Sequence, residues 1–295
     1  MKPYVLITPA RNEETHIEKT IRSVISQTIL PKRWTIVSDG SVDRTDAIVA
    51  SYADKHEFIL LLRRSGDQER SFGSKARAFA LGYDHMKQLD FDFVGNLDAD
   101  VSFDPTYYEG ILSKFEADER LGIAGGIRYD LRNGRFRKVR CAPNSVGGPF
   151  QLFRRECYEE IGGYRPLPFG GIDGVAETMA RMHGWEVRHF PKLQVHHHRY
   201  TGSEGQGVFI ARFRSGIKAY VIGYHPLFLA ARCALRMRDH PPVIGSVLRL
   251  AGYFWASLAR YERVVSDDFV QYLREEQLTR LRSIASRGSA SDIPR

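Results

Sequence analysis

Apolar positions in the first hundred residues fall into short runs separated by helical repeats. Tyr4–Thr8, Thr35–Ser38, Phe58–Leu62 and Phe91–Leu97 are runs of strand length. Between them, Glu14–Gln27 sets Ile17, Ile21, Val24 and Ile25 at helical spacing. Arg44–Lys55 and Lys75–Gln88 read as the second and third helices. Strands alternating with helices predict an α/β fold: a Rossmann-like, mostly parallel sheet flanked by helices. Ligands on such sheets bind outside the carboxyl ends of the strands. The residues at those ends are polar and acidic: Pro9–Glu13, Asp39–Asp43 and Asp98–Asp100.

The pattern is less regular from residue 121 to 199. Gly147–Phe153 reads as a loop entering a short strand, and Arg154–Ile161 as a short helix ended by Gly162-Gly163. A helix is expected from Gly174 to His183, then two short strands, Trp185–Pro191 and Lys192–His197. The basic run 132–140 reads as a solvated loop. Beyond Gly202 the chain turns Gly-rich, then helical and basic. A frayed tail is expected from Ser286.

Composition adds three points. Of 295 residues, 43% are hydrophobic and 26% charged, enough for a real core. The three cysteines are scattered, which argues against a disulfide framework or a structural zinc site and for a reducing compartment. The net charge of +8 is concentrated: between Ala211 and Arg263 nine Lys/Arg face only Asp239 and Glu262. That asymmetry calls for an anionic partner. No motif for nucleic acid appears. The N-terminal apolar run is too short for a signal peptide, and no uncharged apolar run reaches about 18 residues.

Asp98-Ala-Asp100 carries the clearest chemistry. Two carboxylates at the end of a buried strand can address one hard cation, Mn²⁺ or Mg²⁺, which bridges protein oxygens to substrate phosphates. The plainer reading is a turn. Three histidines in a row, His196 to His198, are further metal candidates. On a strand they alternate faces, so His196 and His198 share one side and His197 takes the other.

Ile7–Glu14, Val37–Asp43 and Leu97–Asp100, with Gly148–Arg154, Ile161–Tyr164 and Asp173 to Gly184, together resemble the family 2 glycosyltransferases. The resemblance covers roughly residues 4–200. It implies an inverting enzyme of the GT-A fold, moving a sugar from a nucleotide-sugar donor, a UDP-sugar by preference. Pro9, Arg11, Glu13, Asp39 and Ser41 would line the nucleotide pocket, with Lys75 and Arg199 at the diphosphate. Asp98 and Asp100 would hold the metal, with His198, or alternatively His196, as a late ligand. Asp39 and Asp43 have turn and capping readings as well.

Inversion needs a carboxylate that takes the acceptor proton. The family carries Glu-Asp at a helix start about a dozen residues before a Gly. Counting back from Gly184 gives Asp173, with Ile172 where the first acid should stand. Asp173 is the expected base, although it could simply cap the helix. Glu177, one turn later on the same face, is the alternative.

The resulting layout has a catalytic unit over 1–202, with the donor half in 1–100 and the acceptor half in 101–202. A basic amphipathic helical extension follows over 203–285. Its Phe, Trp, Tyr and Leu mixed with Arg suit a helix lying on an anionic membrane surface, through 203–263. The expected acceptor is a glycan or a polyprenyl-diphosphate-linked chain, and the expected place is the cytoplasm, peripheral on the inner face of the plasma membrane. The same helices could instead pack on a second subunit. A dinucleotide enzyme lacks its GxGxxG and a P-loop enzyme its GxxxxGK[ST]. The competing class is a degenerate scaffold that binds a sugar nucleotide or a glycan without turnover, for which Ile172 and Ala80, the latter standing where the resembled family often has Asn, are the arguments.

Overall fold

The computed structural model describes residues 1–65, 72–139, 141–199, 207–237 and 241–289. Arg140 of the basic run, the start of the Gly-rich segment and the end of the expected tail lie outside these residues. The chain divides into two compact units, Met1–Thr201 and Gly202–Arg295.

The first unit is built on one sheet. Its strands are β1 (Tyr4–Ala10), β2 (Arg33–Asp39), β3 (Ile59–Arg64), β4 (Phe93–Asn96), β5 (Val101–Phe103), β6 (Leu121–Arg132), β7 (Arg135–Lys138), β8 (Leu152–Arg154) and β9 (Glu186–His197). The order is β3-β2-β1-β4-β8-β6-β9-β5, with β7 paired to β6. β3, β2, β1 and β4 run parallel, as do β6 and β9, while β8 is antiparallel to both its neighbours. Val5, Leu6, Ile7, Ile36, Val37 and Val94 are wholly buried. Helices on both faces make continuous apolar strands the stable choice for such a sheet.

The helices of this unit are α1 (Ile17–Ile25), α2 (Thr45–Ala53), α3 (Phe72–Met86), α4 (Tyr107–Ala117), α5 (Arg155–Glu160) and α6 (Ile172–Met182). α1 does more than cover the sheet. Thr20 and Ser23 donate to the carbonyls of Val101 and Phe103 at 2.8 and 2.9 Å, and accept from the same residues' N–H groups. These hydroxyls therefore satisfy the outer edge of β5, the last strand of the sheet.

Three elements differ from expectation. β5 escapes periodicity because it is three residues long. The basic run is the edge strand β7 of a hairpin rather than a loop, its charged side chains exposed. The two strands expected on either side of Pro191 are one strand, β9. Its pairing with β6 slips between Gly125 and Ile127, opposite that proline, which cannot donate to the ladder.

The second unit is helical: α7 (Val208–Val221), α8 (Pro226–Leu235), α9 (Ile244–Leu258) and α10 (Asp267–Ser289). α7 and α9 cross with backbones nearly touching. A Cβ on Gly216 would stand 2.0 Å from the Arg249 carbonyl oxygen, and one on Gly252 2.1 Å from that of Phe213. Ala219, Leu229, Cys233 and Tyr253 form its small core. Among the described residues, no helix is long and apolar enough to cross a membrane.

Candidate active site

The expected donor residues gather at the carboxyl ends of β1, β2 and β4. Pro9 is in the last turn of pairing of β1 with β2, and Arg11 follows half-buried. Ser41 accepts from the Asn12 N–H at 3.2 Å, tying the β1 and β2 ends together. The Glu13 N–H donates to Thr45 Oγ1 at 2.7 Å. Asp39 is 4% exposed and is held by Arg64, from the end of β3, and by Ser74 of α3 at 2.8 Å. Arg64 and Ser74 are positions that sequence reading did not single out. Arg64 lies in a segment with no motif and Ser74 directly precedes the expected Lys75, and only the fold brings either to Asp39.

Asp98 meets Lys75 at 2.5 Å, so the α3 lysine reaches the metal-type carboxylate directly. Asp100 sits deeper, 7% exposed. Its Oδ1 lies 3.4 Å from His197 Nε2 and its Oδ2 3.6 Å from Arg199 Nε. On its other side, His197 Nδ1 stands 3.3 Å from Asp130 Oδ1, and Asp130 is paired with Arg128 at 3.0 Å. Burial by itself would lower the His197 pKa. The flanking Asp100 and Asp130 outweigh it and raise it to about 9, so the ring is cationic at neutral pH. Burial opposes ionisation of Asp100, but His197, Arg199 and Lys75 hold it below the usual carboxylate range.

The resemblance favours His198 as the third ligand. The alternation holds: the rings of His196 and His198 both pack on Phe136, 4.6 and 5.6 Å away, while His197 takes the opposite face. But the side chain against Asp100 is His197. His198 Nε2 instead lies 2.8 Å from Ser102 Oγ. Burial, then the charges of Lys19 and His16, push the His198 pKa down to about 4, leaving a neutral imidazole. The register explains the difference: β9 pairs antiparallel with β5, placing Val101 opposite His197 and Ser102 opposite His196.

The donor set suits a hard divalent cation. Asp98 and Asp100 supply oxygens two residues apart, and buried Asp100 Oδ1 faces the His197 ring at 3.4 Å without hydrogen-bond geometry. No group of three His, Cys, Asp or Glu among those residues is arranged around one point. Magnesium-type ions are commonly held by one or two carboxylates plus substrate phosphates, so a two-carboxylate site is consistent.

The expected base is tied to the same strand end. The Asn96 and Asp98 N–H groups donate to the carbonyls of Gln151 and Pro149, at 2.9 and 2.8 Å. Asn96 Nδ2 reaches the Gly148 carbonyl at 2.6 Å. Asp173, in the first turn of α6, leans on Gly148: a Cβ there would stand 2.8 Å from Asp173 Oδ2. Glycine at 148 thus lets Asp173 approach the turn that anchors Asp98. The N-cap of α6 is Gly171, so Asp173 is not a capping residue.

Glu177 is placed otherwise. It is 5% exposed, accepting from the Val146 N–H at 2.7 Å and Gln151 Nε2 at 2.9 Å. Burial, then the charge of Asp173, raises its pKa to about 7. Tyr164 completes the support by donating to Gln151 at 2.5 Å. Of the two acids on this helix, Asp173 is the half-buried one.

Arg199 closes the ring. It donates to Glu13 Oε2 at 2.5 Å while facing Asp100, linking the end of β9 to the ends of β1 and β4.

The family model for "Glycosyl transferase family 2" matches residues 5–166, more than half of the chain. The chain belongs to glycosyl transferase family 2. Poly-beta-1,6-N-acetyl-D-glucosamine synthase of Staphylococcus aureus (strain COL) is 25% identical over 206 residues, which are 61% of this chain and 46% of that protein. The corresponding synthase of Staphylococcus epidermidis is 24% identical over 205 residues. The chain spans about half the length of the curated relatives it matches. Among solved structures, a mannosyltransferase from Pyrobaculum calidifontis, in complex with GDP-Man and Mn²⁺, gives a TM-score of 0.57 at 17% identity, covering 98% of this chain and 80% of that one. S. aureus TarS 1-349 gives 0.53 at 15%, covering 93% and 82%. These likenesses bear on the fold, which is that of the GT-A glycosyltransferases.

Proposed function

We propose that this family 2 member is a metal-dependent inverting transferase. It takes a sugar from a nucleotide-sugar donor, a UDP-sugar by preference, to a glycan or polyprenyl-diphosphate-linked acceptor. The observation that carries the reading is the shared anchor of Asp98 and Asp173 on the 148–151 turn. It brings a metal-type carboxylate and a base-type carboxylate to one strand end.

The nucleotide would lie over the ends of β1 and β2, with Pro9, Arg11, Glu13, Asp39 and Ser41 around it. Asp39 would exchange part of its contact with Arg64 for the base. Asp98 and Asp100 would hold Mn²⁺ or Mg²⁺, which neutralises the diphosphate leaving group. Lys75 and Arg199, cations already beside those carboxylates, would turn to the phosphate oxygens. His198 would have to leave Ser102 to add a nitrogen ligand, and its neutral state permits that. Asp173 would accept the proton of the acceptor hydroxyl as that oxygen attacks the anomeric carbon.

The second unit would hold the enzyme on the cytoplasmic face of the plasma membrane. Phe209, Leu227, Phe254, Trp255 and Leu258 are each more than half exposed on helices that also bear arginines. Apolar side chains of that size among basic ones fit an anionic interface.

A thermal-shift panel of nucleotide sugars with and without Mn²⁺ tests the donor site and the metal together. A Mn²⁺-dependent rise with one base class, lost in Asp98→Ala, is the expected result. A rise independent of metal and of Asp98 would refute it. Donor binding without turnover would instead favour a sugar-binding scaffold, the reading suggested by the buried Ile172 in place of an acid.

A further inference from the structure

The β6–β7 hairpin carries charge to which the transfer step above gives no role. Between Arg128 and Arg140 the sequence has six Lys/Arg and one acid, Asp130. The turn joining the two strands is Asn133-Gly134, with φ of 50° and 73°. Positive φ at both central residues marks the two-residue turn that matches strand twist and fixes the register. Arg132 therefore pairs with Arg135, Leu131 with Phe136, Asp130 with Arg137 and Tyr129 with Lys138. Paired residues share a face, and successive ones alternate. One face takes Phe136, on which the rings of His196 and His198 pack. The other takes Arg128, Arg132, Arg135 and Arg137 around Asp130.

This arginine face is the one on which His197, paired with Asp130 across β6 and β9, meets Asp100. Asp130 is 1% exposed, and its oxygens already face His197, Arg128 and Arg132 at 3.3, 3.0 and 3.6 Å. Arg135 and Arg137 lie exposed on β7. Charge on an edge strand discourages pairing with other chains, but charge on either face serves that purpose. It does not call for four arginines on one side. The hairpin also adjoins the proposed base. β9 lies along one side of β6, so β7 stands on the other, the side of β8. From β7 a short connection leads to the 148–151 turn, against which Asp98 and Asp173 are set. Guanidinium forks match phosphate oxygens. Arg135 and Arg137 are two positions apart on one strand, about 7 Å, so side chains of that length can converge on one group. A diphosphate offers oxygens to both forks, where a single carboxylate fills one.

We propose that the arginine face of the β6–β7 hairpin binds the diphosphate of a lipid-linked acceptor, with Arg135 and Arg137 as donors. The choice of a lipid-linked acceptor rests on the function proposed above, and the experiment separates the two. Geranyl diphosphate is titrated into the full chain by calorimetry with EDTA present, so that no metal draws the probe to Asp98 and Asp100. Citrate serves as an anion of similar charge. Wild type should bind geranyl diphosphate about tenfold more tightly than citrate. The chain carrying both Arg135→Gln and Arg137→Gln should lose that preference. Its Tm should stay within about two degrees of wild type, because both side chains are exposed. Arg135→Gln alone decides the matter if the pair disturbs the fold. A preference kept in these variants overturns the inference, as does equal binding of the two anions, or binding of neither, by wild type. Variant-sensitive binding of inorganic pyrophosphate with none of geranyl diphosphate would assign the face to a free diphosphate and overturn the lipid-linked source. A Mn²⁺-dependent thermal shift with a nucleotide sugar, measured alongside, reports on the donor reading separately. If that shift is missing while the hairpin variants lose geranyl diphosphate, the donor reading fails and the diphosphate face stands.

Discussion

Arg199 donates to Glu13 at 2.5 Å across 186 residues of sequence, and the same guanidinium faces Asp100. One side chain therefore couples the end of the last long strand to the residues that open the proposed donor site. Removing it should be felt in both stability and binding. Arg199→Met should cost about 1–3 kcal/mol in urea unfolding, the range for a charge-assisted bond that leaves a buried partner unsatisfied. It should also weaken Mn²⁺-dependent nucleotide-sugar binding about tenfold by calorimetry. Loss of stability with unchanged donor affinity would reduce Arg199 to a strut.

His197 and His198 should respond differently to alanine. His197 lies between two buried aspartates, so His197→Ala removes the cation that separates Asp100 from Asp130 and leaves them only Arg199 and Arg128 at their outer sides. Breaking a buried ionic group in this way costs about 3–5 kcal/mol. His198→Ala should leave the fold nearly as stable but weaken metal-dependent donor binding. Guanidinium unfolding and Mn²⁺ titration distinguish them. A stability loss in His198→Ala as large as in His197→Ala would contradict this assignment.

Asp173→Asn should lower kcat by about 10²–10⁴, the usual worth of a general base. Donor binding should be unaffected, because Asp173 leans on the Gly148 turn, whereas the nucleotide is proposed to lie over the ends of β1 and β2. Glu177→Gln keeps both hydrogen bonds in reach and should retain most activity. If Glu177→Gln is the inactive variant, the roles are reversed.

Glu177 also predicts a pH dependence. Its folded pKa is raised to about 7, so the folded state holds its proton more tightly than the unfolded one. The stability this contributes is full below the ordinary carboxylate range and is lost as pH rises towards 7, with no further change above it. Urea midpoints from pH 4 to 8 should fall over that window for wild type. In Glu177→Gln the fall should be visibly smaller.

Asp98→Asn should abolish Mn²⁺-dependent turnover, by about 100-fold or more, and free Lys75 from its ion pair. The half-exposed pair is worth little to the fold. Tm should therefore move by only a degree or two while activity falls. A large drop in Tm would mark Asp98 as a structural acid.

Much of the first hundred residues is legible in the chain. Long buried parallel strands need uninterrupted apolar runs, and the turns after them need polar residues, so β1 to β4 and their acidic ends stand out. Asp173, the proposed base, is singled out only by counting back from Gly184 against the family's pattern. What is missed is short or non-local. β5 has three residues and owes its edge to hydroxyls of α1. Pro191 reads as a strand break because a proline cannot continue the ladder, yet a register slip lets β9 pass through it.

The sequence by itself determined the α/β class and the polar, acidic strand ends, because these follow from periodicity and local spacing; the family followed from the likeness of its motifs to known members. It also determined that His196 and His198 share a face, because strand side chains alternate. Which of those faces meets Asp100 was decided by the antiparallel register of β5 on β9. Only tertiary structure put Arg64 on Asp39, His197 between Asp100 and Asp130, and Arg199 on Glu13. Those partners are far apart along the chain, and ion pairing between them leaves no periodic trace in the sequence.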